Sequence, residues 1–268
     1  MWNRRPALVY TEHGRLSDAR PSWKRRLVNP WLSRFDAAFV AVSHELRDHM
    51  VDARFPGERV GVIHNGIDAG AVPTPFDRHH ARHLLGVDDE AFTVFTVARL
   101  DPVKDLLTLL DAFAIVRKQI SSSRLVIVGD GPERETLSRR AASPDLSRSV
   151  RITGFRSDVR KVLAAADVYV NSSVSEGVSI TILEALAARI PVVATAVGGT
   201  PEVVSDGSEG MLVPPRAPAR MAAAILALAH DPQQRRALGA AGRVRVEDAF
   251  TIERMVAEYA ALYRTLVD

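Results

Sequence analysis

A chain of 268 residues, 47% hydrophobic and 25% charged, has the makeup of a globular protein and the length for one large or two medium domains. Its 35 basic against 32 acidic residues leave a formal charge of only +3, too little to argue for a nucleic-acid partner. The absence of cysteine removes disulfides and thiolate metal sites, and no apolar run reaches the ~18–20 residues of a membrane span. The first residues, "MWNRRPALVYTEHG", lack the apolar stretch of a secretory leader, so a cytoplasmic protein is expected.

In chain order, "ALVY" predicts a strand and "WKRRLVNPWLSRF" helical segments interrupted at Pro30. "AAFVAVS" predicts a strand, "HELRDHMVDARF" a helix and "RVGVIHNG" a strand ending in a turn. Residues 69–90 are rich in Pro, His and Asp without periodicity, which predicts a linker and then a short helix. A second series follows: strand "FTVFTVARL", amphipathic helix "KDLLTLLDAFAIVRKQI", strand "RLVIVGDG" and a helix from Pro132. "VRITGF", "DVYVNSS", "PVVATA" and "GMLVPP" are further strands with helical patterns between them. Continuous apolar strands alternating with helices imply an α/β fold whose parallel sheet is covered on both faces. Residues 73–248 hold enough units for a complete Rossmann-like domain. Residues 1–72 hold about half of one, and 249–268 form a helix expected to pack back on that N-terminal part.

Ligands of open α/β sheets bind beyond the carboxyl ends of the strands, and four clusters fall there. In "ARLDPVK", Asp101 suits an N-cap and Pro102 the first helical position, which puts Lys104 in the first turn of the next helix. A cation there opposes the helix dipole, unless an anion sits between Arg99, Lys104 and the free N–H groups. The alternative is a solvated lysine. Replacing Lys104 by methionine is expected to leave the fold intact or slightly more stable, because it removes a cation from a helix N-terminus. In "VGDGPE", Gly129 and Gly131 resemble a dinucleotide fingerprint, but Arg134 stands at the third glycine position; a glycine turn is preferred to NAD binding. "TGFRSD" turns at Gly154–Phe155, with exposed backbone where a base could lie.

The richest stretch is "NSSVSEGVSITILEALA", where Glu176 sits in a Ser/Gly turn and Glu184 follows eight residues later in an apolar helical run. Gly177 permits close backbone approach and Ser179 can cap the helix. Were the whole segment helical, the two positions would lie about 12 Å apart along the axis. That exceeds the roughly 5–9.5 Å of glycosidase carboxylate pairs, so the two do not act on one bond. The spacing suits two hydroxyl-bearing groups separated by a diphosphate. The alternative is a dipole-stabilising Glu176 and a Glu184 paired with an arginine.

Taken together, "VARLDPVKD", "LVIVGDGPE", "ITGFRSDV" and "SEGVSITILEALAARIPVVATAVGGTPEVVSDG" resemble the retaining glycosyltransferases of family 4, which have the GT-B fold. "HNGID" at residues 64–68 resembles that family's inter-domain segment. The resemblance implies that Arg99 and Lys104 hold the donor diphosphate, Glu184 the ribose, and Glu176 hydroxyls of the transferred sugar. It implies that the amides of Gly177, Val178, Ser179 and Ile180 face the phosphate and sugar, and that the backbone at Gly154 and Phe155 meets the base. "TEHG" resembles the element whose histidine lies beside the donor sugar, which makes His13 the second catalytic candidate. No two aspartates lie two apart, so the Asp-x-Asp element of metal-dependent transferases is missing and no metal is expected.

Two departures stand out. Arg189 occupies a position where the family often has glycine, and the family's Gly-rich first loop has no counterpart, which leaves truncation or divergence. The expected activity is transfer of a sugar from a nucleoside diphosphate donor, a UDP-sugar favoured, to an acceptor hydroxyl with retention, in cell-envelope or exopolysaccharide glycan synthesis. No cofactor is expected besides that donor. The alternative is a non-catalytic sugar-nucleotide-binding remnant or partner subunit; an NAD-type oxidoreductase is disfavoured by Arg134. The acceptor is expected to be a glycan or a lipid-linked molecule. Residues 20–35 set Arg20, Lys24, Arg25, Arg26 and Arg34 among Trp23, Trp31 and Phe35. The preferred reading is a solvated helix whose aromatics pack on the sheet, with weak, salt-sensitive membrane contact as the alternative. Strands missing upstream would leave an apolar edge uncovered, which raises the expectation of self-association through the first 70 residues.

Overall fold

The computed structural model describes residues 7–14, 23–34 and 38–267. The first sheet has three parallel strands in the order β1 (Val9–Glu12), β2 (Ala38–Ala41), β3 (Val60–Val62). Between them run α1 (Trp23–Leu32) and α2 (His44–Asp52). Helix α1 continues through Pro30, contrary to the interruption expected there, and ends two residues beyond it. Trp23, Leu27 and Trp31 are exposed on it; Arg20 and Phe35 lie outside the described residues.

After α3 (Pro75–Leu85), the second sheet begins. It comprises β4 (Thr93–Val97), β5 (Arg124–Val128), β6 (Val150–Ile152), β7 (Val168–Asn171), β8 (Val192–Thr195) and β9 (Gly210–Val213). All pairings are parallel and the order is β6-β5-β4-β7-β8-β9. The β-branched runs of β7 and β8 are buried throughout, as a sheet covered on both faces requires. On one side pack α4 (Leu106–Gln119) and α9 (Pro218–His230), burying Leu109, Phe113 and Ile225 among others. On the other pack α3, α6 (Val159–Leu163), α7 (Ile180–Ala187) and α10 (Pro232–Ala249), around Leu85, Tyr169 and Leu186. Helices α5 (Arg134–Ala141), α8 (Thr200–Val203) and α11 (Ile252–Val267) complete the set. Chain order moves outward from β4 through β5 to β6, then returns to β7 on the other flank of β4. A crevice opens at such a reversal, at the carboxyl ends of β4 and β7.

The stretch without sequence periodicity is well anchored. Thr74 and Asp77 form a reciprocal capping box at the start of α3, with Pro75 in its first turn. Arg82, 1% exposed, donates to Asp167 at 2.8 Å and to the Ala91 carbonyl at 2.9 Å, while Arg78 takes the other oxygen of Asp167 at 2.8 Å. Burial lowers the Arg82 pKa against the pull of Asp167, yet an arginine stays charged.

The chain crosses between the two sheets twice, and the crossings touch. Ile67 N–H donates to the Phe250 carbonyl at 2.9 Å and Ile252 N–H to the Ile67 carbonyl at 3.0 Å. A Cβ on Gly66 would lie 2.2 Å from the Thr251 carbonyl oxygen, so only glycine fits. Beyond that point α11 lies along the first sheet's unit, where Tyr259 and Thr11 share a hydroxyl contact of 3.4 Å.

Candidate functional site

After β4, Arg99 is 73% exposed and its Nε meets Asp101 at 3.0 Å. Asp101 precedes a single 3-10 turn, Pro102–Lys104, without capping it through its side chain. Asp105 then takes a left-handed conformation, φ 46°, and only afterwards does α4 begin. Asp101 and Pro102 thus take the N-cap and first positions expected of them, but of a 3-10 turn that Lys104 closes, so Lys104 stands one residue ahead of the α4 N-cap and not in the first turn of α4. It reaches across the crevice instead.

Its Nζ meets Glu176 Oε2 at 2.7 Å. Glu176 sits in the turn after β7, its side chain 11% exposed. The same oxygen accepts Ser173 Oγ at 2.8 Å and Asn171 Nδ2 at 3.3 Å. No hydrogen bond to Oε1 forms among the described residues, so one oxygen fixes the carboxylate and the other is open to a hydroxyl. Ser172 Oγ donates to the Lys104 carbonyl at 2.8 Å and Val174 N–H to the Val103 carbonyl at 2.9 Å, which binds the two loops together.

The turn leads into α7. Ser179 has the extended backbone of an N-cap, but its hydroxyl pairs with Thr181 Oγ1 at 3.2 Å and caps no amide, contrary to expectation. Among the described residues the first amides of α7 thus have neither helical nor side-chain partners, a setting suited to an anion. Val178 is buried, its carbonyl accepting Asn65 Nδ2 at 2.9 Å, whereas Ile180 is exposed. Glu184, one turn further on, has an arginine partner: Arg160 Nε lies 3.5 Å from its Oε1. Arg160 also donates to the Asp68 carbonyl at 2.8 Å. Both line a cavity of about 460 Å³ between α6, α7 and the inter-sheet segment.

Opposite, Gly129 N–H donates to the Gly154 carbonyl at 3.0 Å, Gly154 has φ 79°, and Phe155 is 80% exposed. A Cβ on Gly129 would lie 1.8 Å from the Ala98 carbonyl oxygen. The glycines of "VGDG" therefore serve close packing of two loops, as a glycine turn would. Helix α5 starts at Arg134, two residues later than expected, and Arg134 pairs with Asp130 at 2.9 Å.

The first sheet contributes two turns to the same crevice. His13 is exposed; its carbonyl oxygen would lie 2.6 Å from a Cβ on Gly177, with Val42 Cγ2 at 3.1 Å. A Cβ on Gly199 would lie 2.7 Å from Ser43 Cβ. Beside this contact Glu202 bridges the sheets: its carboxylate accepts His44 N–H at 3.0 Å, Glu45 N–H at 3.2 Å and His64 Nε2 at 2.9 Å. Burial would raise the Glu202 pKa, but the bonds from His44, His64 and Glu45 outweigh it and hold the group below the usual carboxylate value. Sequence reasoning missed Arg160, Asn171, Ser173, His44, His64 and Glu202. The available signal was position alone: His44 and His64 stand just after strands, and Glu202 in the short helix that follows β8.

The model described as "Glycosyl transferases group 1" matches residues 77–245, and one described as "Glycosyltransferase Family 4" matches residues 1–70. EpsD of Bacillus subtilis, assigned as a glycosyltransferase, is 31% identical over 95% of this chain and 69% of its own length. A GDP-mannose-dependent phosphatidylinositol monomannoside mannosyltransferase of Mycobacterium tuberculosis is 31% identical over 83% of this chain and 60% of its own length. Anabaena Alr3699/HepE, whose crystal structure contains UDP and glucose, superposes with a TM-score of 0.89 at 27% identity, over 96% of this chain and 71% of that one. Its complexes with UDP and with UDP-glucose superpose equally well, at TM-scores of 0.88 and 0.89. The architecture is the GT-B fold, and the chain belongs to the group 1 glycosyl transferases.

Proposed function

We propose that this chain binds a nucleoside diphosphate sugar, with a UDP-sugar favoured, and transfers the sugar to an acceptor hydroxyl with retention of configuration. The observation that carries the reading is the pairing of Lys104 with Glu176 at 2.7 Å, where two strand ends meet the uncapped start of α7. Arg99, Lys104 and the amides of Gly177, Val178, Ser179 and Ile180 hold the diphosphate and stabilise its departing charge. Glu184 exchanges Arg160 for the ribose hydroxyls. Glu176 turns its open oxygen to a sugar hydroxyl, His13 lies on the opposite side of the sugar, and the base rests on the backbone at Gly154 and Phe155. The occurrence of UDP in HepE supports the donor class, and the mannosyltransferase that acts on a phosphatidylinositol monomannoside supports a lipid-linked acceptor, which we place in cell-envelope or exopolysaccharide synthesis. We assign residues 1–72 to the acceptor side and 73–248 to the donor side, with 249–268 returning to the first. The exposed Trp23, Leu27 and Trp31 beside Lys24 and Arg26 are assigned to weak membrane contact or self-association.

Calorimetry with UDP, GDP and ADP, followed by hydrolysis of the matching glucose or mannose donor, tests the reading. Selective binding of one diphosphate with sugar release supports it. Binding without turnover under any acceptor supply favours a sugar-nucleotide-binding subunit, and no binding refutes both.

A further inference from the structure

We propose that Glu202 is a positioning residue for transfer: its carboxylate latches α2 and His64 of the first unit to the turn that carries Glu176 in the second. The inference rests on the transferase reading for its catalytic consequence, while the latch itself stands on geometry. Both carboxylate oxygens are committed to the first unit, Oε2 to His44 N–H and His64 Nε2, Oε1 to Glu45 N–H. A carboxylate at the start of α2 also meets the positive end of that helix dipole. On its own side Glu202 is held by Arg245, which donates to its carbonyl at 2.9 Å and covers the Phe250 ring at 5.4 Å. The His64 ring stands edge-on to Phe250 at 5.6 Å, so the latch includes both crossings between the units.

The connection to the reaction centre is short and stiff. Glu202 lies in α8, directly after the turn Gly198–Gly199. Gly199 N–H donates to the Glu176 carbonyl at 3.1 Å, and a Cβ on Gly198 would lie 1.8 Å from that same carbonyl oxygen. On the other face the turn touches Ser43, the residue before α2. Whatever moves α2 relative to Glu202 therefore moves His13 and Val42 relative to Gly177 and Glu176. The ring nitrogens of His44 and His64 and the Glu202 carboxylate also fall within 4.8 Å of one another, as a cation site would need. Since both carboxylate oxygens already accept backbone N–H groups, we assign the cluster to hydrogen bonding between units.

The test compares the full chain with Glu202→Ala, Glu202→Gln and His64→Asn by calorimetry with UDP, amide hydrogen exchange, small-angle scattering and UDP-glucose turnover. Glu202→Ala is expected to speed exchange at His44 and Glu45 by roughly 10- to 150-fold, the factor for lost charge-assisted bonds. It is expected to enlarge the molecule in solution and to lower kcat while the KM for UDP-glucose and the affinity for UDP stay within about twofold. Glu202→Gln, which retains one acceptor oxygen, should recover part of each effect and carries the test if the alanine variant does not fold. Unchanged exchange and scattering would overturn the latch, as would a fall in UDP affinity equal to the fall in kcat. Saturable zinc binding lost in Glu202→Ala would overturn it in favour of a cation site. If the wild-type chain turns over no donor, the transferase reading fails, and exchange and scattering still decide the latch.

Discussion

Replacing Lys104 by methionine removes the ammonium at 2.7 Å from Glu176, a carboxylate whose side chain is only 11% exposed. Breaking a fully buried pair costs about 3–5 kcal/mol because the surviving charge is stranded. The pair here is partly open, with Lys104 24% exposed, and Glu176 keeps Ser173 and Asn171. A loss of roughly 1–3 kcal/mol is therefore expected, or a melting temperature about 3–10 °C lower for a chain of this size. The measurement is thermal unfolding without nucleotide, for Lys104→Met, Glu176→Gln and the double variant. The double variant should recover much of the loss, since no stranded charge remains. UDP affinity should fall more than uridine affinity. A single variant that melts at or above the wild-type temperature would refute the pairing and restore the argument from helix dipole repulsion, which gives the opposite sign.

Glu184→Ala should weaken UDP binding by roughly 10- to 150-fold through loss of charge-assisted bonds to ribose, while Glu176→Ala barely changes it; equal effects in calorimetry would contradict the division of roles. Arg189 has φ 58°, a left-handed conformation costing about 1–2 kcal/mol in residues other than glycine. Arg189→Gly should thus raise stability by roughly 0.5–1 kcal/mol after the added chain entropy, and a lower melting temperature would count against it. Because the Glu202 pKa is lowered, its stabilising contribution is complete above the ordinary value of 4.5 and is lost as pH falls through the depressed value. The protection of the His44 and Glu45 amides, exchange taken relative to the intrinsic rate at each pH, should fall in that acid window. Gly177→Ala would press a methyl to 2.6 Å from the His13 carbonyl and displace the Gly177 amide, so sugar release from UDP-glucose and UDP affinity should both fall; unchanged turnover would separate His13 from the site.

The strands of the second sheet were legible because β-branched runs such as "VYVN" and "VVAT" are buried on both faces, which leaves a pattern independent of distant partners. The oddity of Glu184 among apolar neighbours was legible too, and the structure supplies the arginine that one of the two alternatives named. Lys104 was misplaced because a non-glycine residue, Asp105, adopts a left-handed conformation that composition does not announce. Residues 69–90 showed no periodicity because α3 is held through Arg78 and Arg82 on Asp167, a partner more than eighty residues away. The role of Glu202 was invisible for the same reason: its carboxylate partners lie 138 to 158 residues distant.

The paired crossings at Ile67 and Phe250–Ile252 also set a timetable for synthesis. Residues 75–249 form a contiguous sheet with its helices, which can condense once they have left the ribosome. The three strands of the first sheet are made earlier, yet α11, which lies along them, is made only after that middle block. Until then the outer face of β2 and β3 near Phe39 and Gly61 lacks Leu262. The nascent chain must keep this half-covered sheet from self-pairing while the second unit folds, so its window for misassembly opens early in translation and closes late.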